Sequence, residues 1–440
     1  MSPLAPRAPG REPLPPNVES TGGCMSGKTR SNLTAPFAVR SFRYQFPADL
    51  LTSWGVEMEV LILGWFILVE TGSVLLLTLY GSLQFMGTLV SPLFGMAGDR
   101  FGHRNVLCLM RATYAVLALV LTALAFTGSL EPAYALLVAA GSGMVRPSDI
   151  AMRNALVAEI VPAPLLMGAM GVSRTTSDSA RVIGALAGAG LLAAMGMTVA
   201  CLTITLFYLA GMILTGFIGR GPTQRHLVGS VHPSFLREVM EGMRYVWRTP
   251  CLLAAMWLAF LVNLTAFPIT LGLLPYVARE IYHIDQTGLG TLVASFSGGA
   301  LFGSIAVGMA GRALRPARMM VIFSVVWYVM LLLFIAMPDQ VGGRVMLVAA
   351  GFSQSFSMVP MAAMLLHVAG ERYRGRVMGV RMLAIYGLPL GLMASGVLIQ
   401  WFGFVATATG YCVVGLVATA AIALWWKDAI WPLGAPGNAR

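Results

Sequence analysis

From Phe42 onward, apolar residues come in long runs separated by short polar breaks, at 44–69, 74–97, 105–127, 133–160, 166–194, 198–218, 251–278, 287–310, 317–337, 345–369, 376–401 and 404–426. A helix rises about 1.5 Å per residue, so each of these twelve runs is long enough to cross a hydrocarbon core about 30 Å thick. The runs lack the alternation of barrel strands, and in lipid only helices and closed barrels satisfy their own backbone. The pattern predicts an all-α membrane protein with twelve transmembrane helices.

Composition narrows the class. Of 440 residues, 57% are hydrophobic and 11% charged, and the mean hydropathy is +0.78. Soluble proteins carry about 25% charged residues, and disorder needs low hydrophobicity with high charge. Five cysteines, an odd number without paired spacing, make no disulfide framework. The net charge of +11 invites a nucleic-acid reading, but its distribution opposes one. With the N-terminus inside, 21 of 29 Lys and Arg fall in or beside cytosolic segments, and only Arg279 and Arg344 lie outside. That asymmetry predicts cytosolic N- and C-termini and no nucleic-acid partner.

The chain divides into five parts. Residues 1–41 form a Pro-rich, disordered cytosolic tail, with Met25 as a second candidate start. Residues 42–218 and 251–426 each hold six apolar runs. Residues 219–250 form a cytosolic linker, and 427–440 a cytosolic tail. Within the linker, Phe235, Val239, Met243, Val246 and Trp247 fall near one helical face, with Arg237, Glu238, Glu241 and Arg248 largely elsewhere, which predicts an interfacial amphipathic helix. Gly-Met-Ala-Gly occurs at Gly95–Gly98 and at Gly308–Gly311. Met-Gly-Val occurs at Met170–Val172 and at Met378–Val380. Both repeats fall at equivalent spans and nearly one offset, which suggests a parallel duplication into two six-helix bundles.

Charges inside the runs are costly and mark function or pairing. They concentrate in the first half: Asp49, Glu57, Glu59, Arg111, Arg146, Asp149, Arg153, Arg174, Asp178 and Arg181, against essentially Arg381 in the second, with His367 near a span end. Arg146, Asp149 and Arg153 share one helical face, as do Arg174, Asp178 and Arg181. Equal depth suggests cross-helix pairs Arg146–Asp178 and Asp149–Arg174, serving either as structural glue or as a coupling network. Glu57 and Glu59 lie about 200° apart around their helix, so only one faces a central cavity squarely. That residue is a proton carrier if unpartnered, or the partner of an arginine from the fourth or fifth span.

Trp257, Phe260, Asn263 and Phe267 recur at helical spacing, as do Phe352 and Phe356 beside Gln354. With 28 methionines in the chain, they suit an adaptable cavity for a bulky, partly apolar ligand, or else pack helices together. Five histidines form no metal-ligand spacing, and no phosphate-binding glycine loop with a lysine is present. No enzyme activity, catalytic residue, metal or cofactor is expected.

After the second run the chain reads Gly95-Met96-Ala97-Gly98-Asp99-Arg100-Phe101-Gly102-His103-Arg104. Glycine permits a tight turn, Asp99 can accept from exposed N–H groups at a neighbouring helix start, and the arginines hold the turn in the cytosol. This stretch resembles the G-x-x-x-D-R-x-G-x-R signature of the major facilitator superfamily. Thr71-Gly72-Ser73, Arg111-Ala112, Val161-Pro162, Arg244-Tyr245-Val246 and Arg374-Gly375-Arg376-Val377-Met378-Gly379 are similar to the branch of the enterobactin exporter and the macrolide-efflux proteins. Gly184-Ala185-Leu186-Ala187-Gly188 stands where the antiporter signature carries Gly-Pro, and Val56 follows Gly55 where the branch often has Asp.

The resemblance implies a gate formed by Gly95, Gly98, Asp99, Arg100, Gly102 and Arg104, with Asp99 bracing the eleventh span near Arg374 and Arg376 when the cytosolic side is closed. It implies a secondary transporter in the bacterial inner membrane, a monomer exporting a small amphiphile in exchange for protons. The few charges within the runs of the second half, with its aromatic and methionine residues, predict that this cargo is neutral or weakly acidic and of macrolide or siderophore size. Two rivals stand beside it: an importer of a nutrient or organic anion with the same fold, and a non-transporting receptor or lipid-handling protein.

Overall fold

The computed structural model describes residues 35–88, 90–219, 235–310 and 315–431. Most of the Pro-rich tail, the first part of the linker with His226 and His232, Gly311 of the second Gly-Met-Ala-Gly and the last nine residues lie outside the described residues. So do the side chains of Phe235, Arg237, Glu238, Val239 and Arg374.

Among the described residues every regular element is a helix. A 3-10 turn at Ala35–Ala38 leads into α1 (Arg40–Thr71), followed by α2 (Val74–Leu83), α3 (Ser91–Phe101), α4 (His103–Phe126), α5 (Pro132–Ile160) and α6 (Ala163–Gly216). The linker contributes α7 (Phe235–Arg248). Then come α8 (Pro250–Thr265), π-helical turns at Pro268–Gly272 and Val277–Ile281 around the short α9 (Leu274–Tyr276), α10 (Gln286–Ala310), α11 (Pro316–Ala336), α12 (Gln340–Val368), α13 (Gly370–Ala384), α14 (Gly387–Trp425) and α15 (Lys427–Ile430).

Local chemistry sets these boundaries. Gly72 ends α1 with a left-handed φ of 62°, its N–H donating to Leu68 O, and the Ser73 hydroxyl then caps α2 by accepting from Leu76 N. The Asp339 carboxylate accepts from Val341 N and Gly342 N at 2.9 and 2.8 Å, capping α12. Proline opens α5, α8 and α11, where a missing N–H costs nothing.

Eight described helices are long and apolar enough to cross a bilayer, or nine when the stretch Val74–Phe101, bent by 49°, counts as one. α5 is equally long, but Arg146, Asp149 and Arg153 interrupt its apolar character. α6 and α14 are double length, and each folds back at one glycine: Gly196 (φ 77°, ψ −179°) and Gly403 (φ 79°, ψ 168°). A side chain resists that φ, so glycine makes a loop-free reversal possible. The two kinks lie 207 residues apart, close to the offsets of the sequence repeats, and share one conformation. They are a backbone signature of duplication.

The outer surface is apolar: Phe126, Leu137, Met309, Trp401 and Trp425 are each more than two thirds exposed. At roughly 25 cal/mol per Å² of apolar area, water would penalise such a surface heavily, whereas lipid does not. The chain is a multi-pass membrane protein. Trp327, Arg111, Tyr114, Tyr208 and Tyr328 fill the interior.

Interactions between the helices before and after α7 gather toward the end that holds the α1–α2 turn. Arg279 Nη1 donates to Leu68 O, Gly64 faces Pro275, and Gly290 packs on Ala185 and Ala189. Deeper in, the Ser82 hydroxyl donates to Pro389 O at 3.1 Å. At the opposite end α7 packs on α13: Tyr245 stacks on Tyr373 at 4.3 Å, and Arg376 Nη1 lies 2.8 Å from Glu241 Oε2. Val246 is buried there, and Trp247, read as part of the apolar face of an interfacial helix, is 63% exposed.

Candidate functional site: a cavity charged on one wall and apolar on the other

A cavity of about 410 Å³ lies between the helices on either side of α7. Its first wall, from α1, α2, α5 and α6, presents Glu57, Tyr80, Gln84, Arg146, Asp149, Arg153 and Arg181. Its second wall is almost wholly apolar: Leu271, Leu274, Pro275, Val293, Phe296, Met382, Ile385 and Leu392, with Thr270 and Ser297 as polar points. Volume and lining suit one small molecule held by apolar contact on one side and a few polar groups on the other.

Glu57 faces the cavity. Its Oε1 lies 3.8 Å from Arg181 Nε and 4.0 Å from Arg146 Nη2, so it bridges α5 and α6. Arg146 also donates to Gln84 Oε1 on the segment after α2. Glu59 points away from the cavity, is buried, and accepts from the Tyr208 hydroxyl at 2.8 Å. Two residues of separation on one helix thus give two different environments. Glu57 has arginine partners from the fourth and fifth apolar runs, and Glu59 has a phenol.

The cross-helix pairs Arg146–Asp178 and Asp149–Arg174 expected from depth are not formed. Arg174 Nε instead reaches Asp178 Oδ2 one turn along its own helix at 3.2 Å, and Arg153 Nη2 reaches Asp149 Oδ2 at 2.5 Å in the same way. Pairs at i,i+4 need no register between helices, whereas depth counting assumes facing sides that packing alone sets. The interhelical partner of Arg153 is Asp49. It accepts from Gln45 at 2.9 Å and from Arg111, which is wholly buried. Arg153 Nε lies 3.7 Å from Asp49 Oδ1, and Arg153 Nη1 donates to Ser53 Oγ at 2.6 Å. Asp49, Arg111, Asp149 and Arg153 form a neutral network tying α1, α4 and α5 together, with Arg111 also reaching Thr215 on α6. Asp49 and Arg111 were visible as intramembrane charges. Charge parity within the first half was the available signal that they pair.

The aromatic set falls elsewhere. Trp257, Phe260, Asn263, Phe267, Phe352, Gln354 and Phe356 do not line this cavity. Trp257 is 47% exposed at the outer surface, and the Asn263 amide donates to Ala259 O of its own helix at 2.8 Å. Phe267 packs edge-on against Trp327, and Phe356 stacks on Phe323 and lies against Phe352. Helical spacing identified a shared face but not what that face meets.

At the α3–α4 turn, Gly102 carries φ 86° and ψ 134° while its N–H donates to Gly98 O at 2.8 Å. Arg104 Nη2 donates to Gly216 O at 2.7 Å, and Arg100 lies over the Phe101 ring. His103 sits 2.5 Å from Glu159 and 3.7 Å from Asp99, whose side chain is 77% exposed. Arg376 is occupied by Glu241. Gly95 and Gly98 lie within α3. Gly102→Ala should cost about 1–3 kcal/mol through backbone strain although a Cβ there meets open space. Gly95→Ala, in an open helical position, should be neutral or slightly stabilising. Thermal unfolding of the two variants in detergent checks this, and equal melting would refute it.

A membrane-embedded, all-helical body with a central cavity and a glycine-hinged charged turn defines a multi-pass transporter. The family description Major Facilitator Superfamily matches residues 46–386 and 256–436, and the chain belongs to that superfamily. It is a transporter, not an enzyme. Macrolide efflux protein A of Streptococcus pyogenes is 23% identical over 361 residues, spanning 81% of this chain and 87% of the relative. Enterobactin exporter EntS of Escherichia coli O1:K1 / APEC is 25% identical over 311 residues, spanning 69% and 70%. The resemblance to the efflux branch therefore holds. Among solved structures, the nucleoside transporter NupG superposes with a TM-score of 0.69 at 11% identity, covering 88% of this chain and 99% of that one. The D-xylose-proton symporter superposes with 0.67 at 12%, covering 87% and 96%.

Proposed function

We propose that this protein is a secondary active transporter that exports a small amphiphilic compound, drug-like or siderophore-like, in exchange for protons by alternating access. The observation that carries the reading is the cavity, charged on one wall and apolar on the other. The relatives named as efflux protein and exporter support the outward direction. Counting α5, the bent α2–α3 and both arms of α6 and α14 gives twelve crossings in two six-helix bundles, 42–218 and 251–426. The basic residues favour cytosolic termini, the bacterial relatives favour a bacterial inner membrane, and the protein works as a monomer. The contacts near the α1–α2 turn then close the outer side, and the cavity faces the cytosol.

Glu57 is the proton acceptor in this reading. It faces the cavity between two arginines, so protonation releases Arg146 and Arg181 from it, and a bound ligand group competes for the same cations. Flux of a macrolide and of enterobactin in reconstituted vesicles, under imposed pH gradients of either sign, tests the proposal. Proton-driven efflux is expected. Uptake driven by the same gradient would establish the importer instead, and no flux of either compound would remove this substrate class.

Asp99 acts as a latch when the cytosolic side closes, exchanging its exposed position for a contact at the start of α13 and competing with Glu241 for Arg376. Asp99→Asn should reduce transport severalfold, from the loss of a charge-assisted bond of about 1–2 kcal/mol, and leave the melting temperature unchanged because the side chain is solvated here. Undiminished transport by this variant would remove the latch.

A further inference from the structure

Arg381 stands apart from the other charges around the cavity. The carboxylates of the first half are engaged: Asp49 and Asp149 with Arg111 and Arg153, Asp178 with Arg174, and Glu57 between Arg146 and Arg181. Glu59, on the far side of α1 from the cavity, accepts from Tyr208, so none of these intramembrane carboxylates pairs with Arg381. It lies on α13 one helical turn before Ile385 and beside Met382, both of which line the apolar wall. Among the described residues it makes no hydrogen bond or ion pair. Its side chain is half-buried. Arg174 shares its helical face with Arg181, which lines the opposite wall.

A cation held near hydrocarbon without a counterion is costly, and it is retained where a ligand supplies the missing charge. We propose that Arg381 is the docking point for an anionic group, a carboxylate or a close equivalent, on the transported amphiphile, held across the cavity from the wall that carries Arg146 and Arg181. This rests on the transport reading and names its substrate class. The apolar body of the substrate lies along Met382, Ile385 and Leu392.

The test is equilibrium binding of dansyl-phenylalanine and of its neutral amide to the purified protein in phosphatidylcholine nanodiscs, without any gradient, read by dansyl fluorescence. The acid should bind at least about tenfold more tightly than the amide, the size of one charge-assisted hydrogen bond. Arg381→Gln should remove most of that preference while amide binding stays within about twofold, which also reports that the variant is folded, and Arg381→Lys should keep most of it. Equal affinity for acid and amide in the native protein, no acid binding to it, or an unchanged preference in Arg381→Gln would each overturn the proposal. Flux of the same acid is measured separately. Binding that depends on Arg381 without flux would remove the export of such amphiphiles and leave the anion site. Flux indifferent to the acid group and to Arg381 would do the reverse.

Discussion

Asp49→Ala should destabilise the protein by about 3–5 kcal/mol, the usual cost of stripping one partner from a buried ion pair. Asp49 is buried, accepts from Gln45 and Arg111, and lies 3.7 Å from Arg153. Without it, Arg111 keeps only Thr215 Oγ1 and the Gly211 carbonyl, two neutral acceptors, in a site closed to water. A neutral interhelical hydrogen bond in a membrane protein contributes only about 0.6 kcal/mol, so charge, not bond count, makes this position sensitive. Unfolding in detergent should show the loss, and adding Arg111→Met should recover part of it by removing the stranded cation. A variant that melts with the native protein would show that α1, α4 and α5 are held by packing alone.

Glu57→Gln should reduce pH-driven flux more than about tenfold, because an amide cannot take up the proton whose binding frees Arg146 and Arg181. Ligand exchange without a pH gradient should persist. Glu59→Gln should behave differently: the amide oxygen can still accept from Tyr208, so coupling should survive with a stability change below about 1.5 kcal/mol. Paired flux assays with and without a gradient separate the two variants. Full coupling in both would move the proton site to Asp149 or Asp178.

The α3–α4 turn was legible because glycine, acid and base stand in a fixed short order and the element is local. The separation of Glu57 from Glu59 was legible for the same reason, since 100° per residue is a property of one helix. Their partners were not. Arg181 and Tyr208 come from different arms of α6, more than 120 residues away, and meet α1 only because Gly196 folds that helix back. Asp149 and Asp178 found partners on their own helices, which depth counting between helices overlooks.

The sequence by itself determined that this chain lives in a membrane, that its apolar segments are helices, which end carries the basic residues and where the gate-like turn lies. Each of these follows from local composition, from the 1.5 Å rise of a helix and from the cost of charge in hydrocarbon. Only the tertiary structure decided which faces look inward. A soluble helix announces its buried side by an apolar stripe, but these helices are apolar all round, because lipid and protein interior are alike to a leucine or phenylalanine side chain. Trp257 and Phe352 therefore read the same in sequence as Phe296 and Met382, and three-dimensional packing alone places the latter pair on the cavity wall.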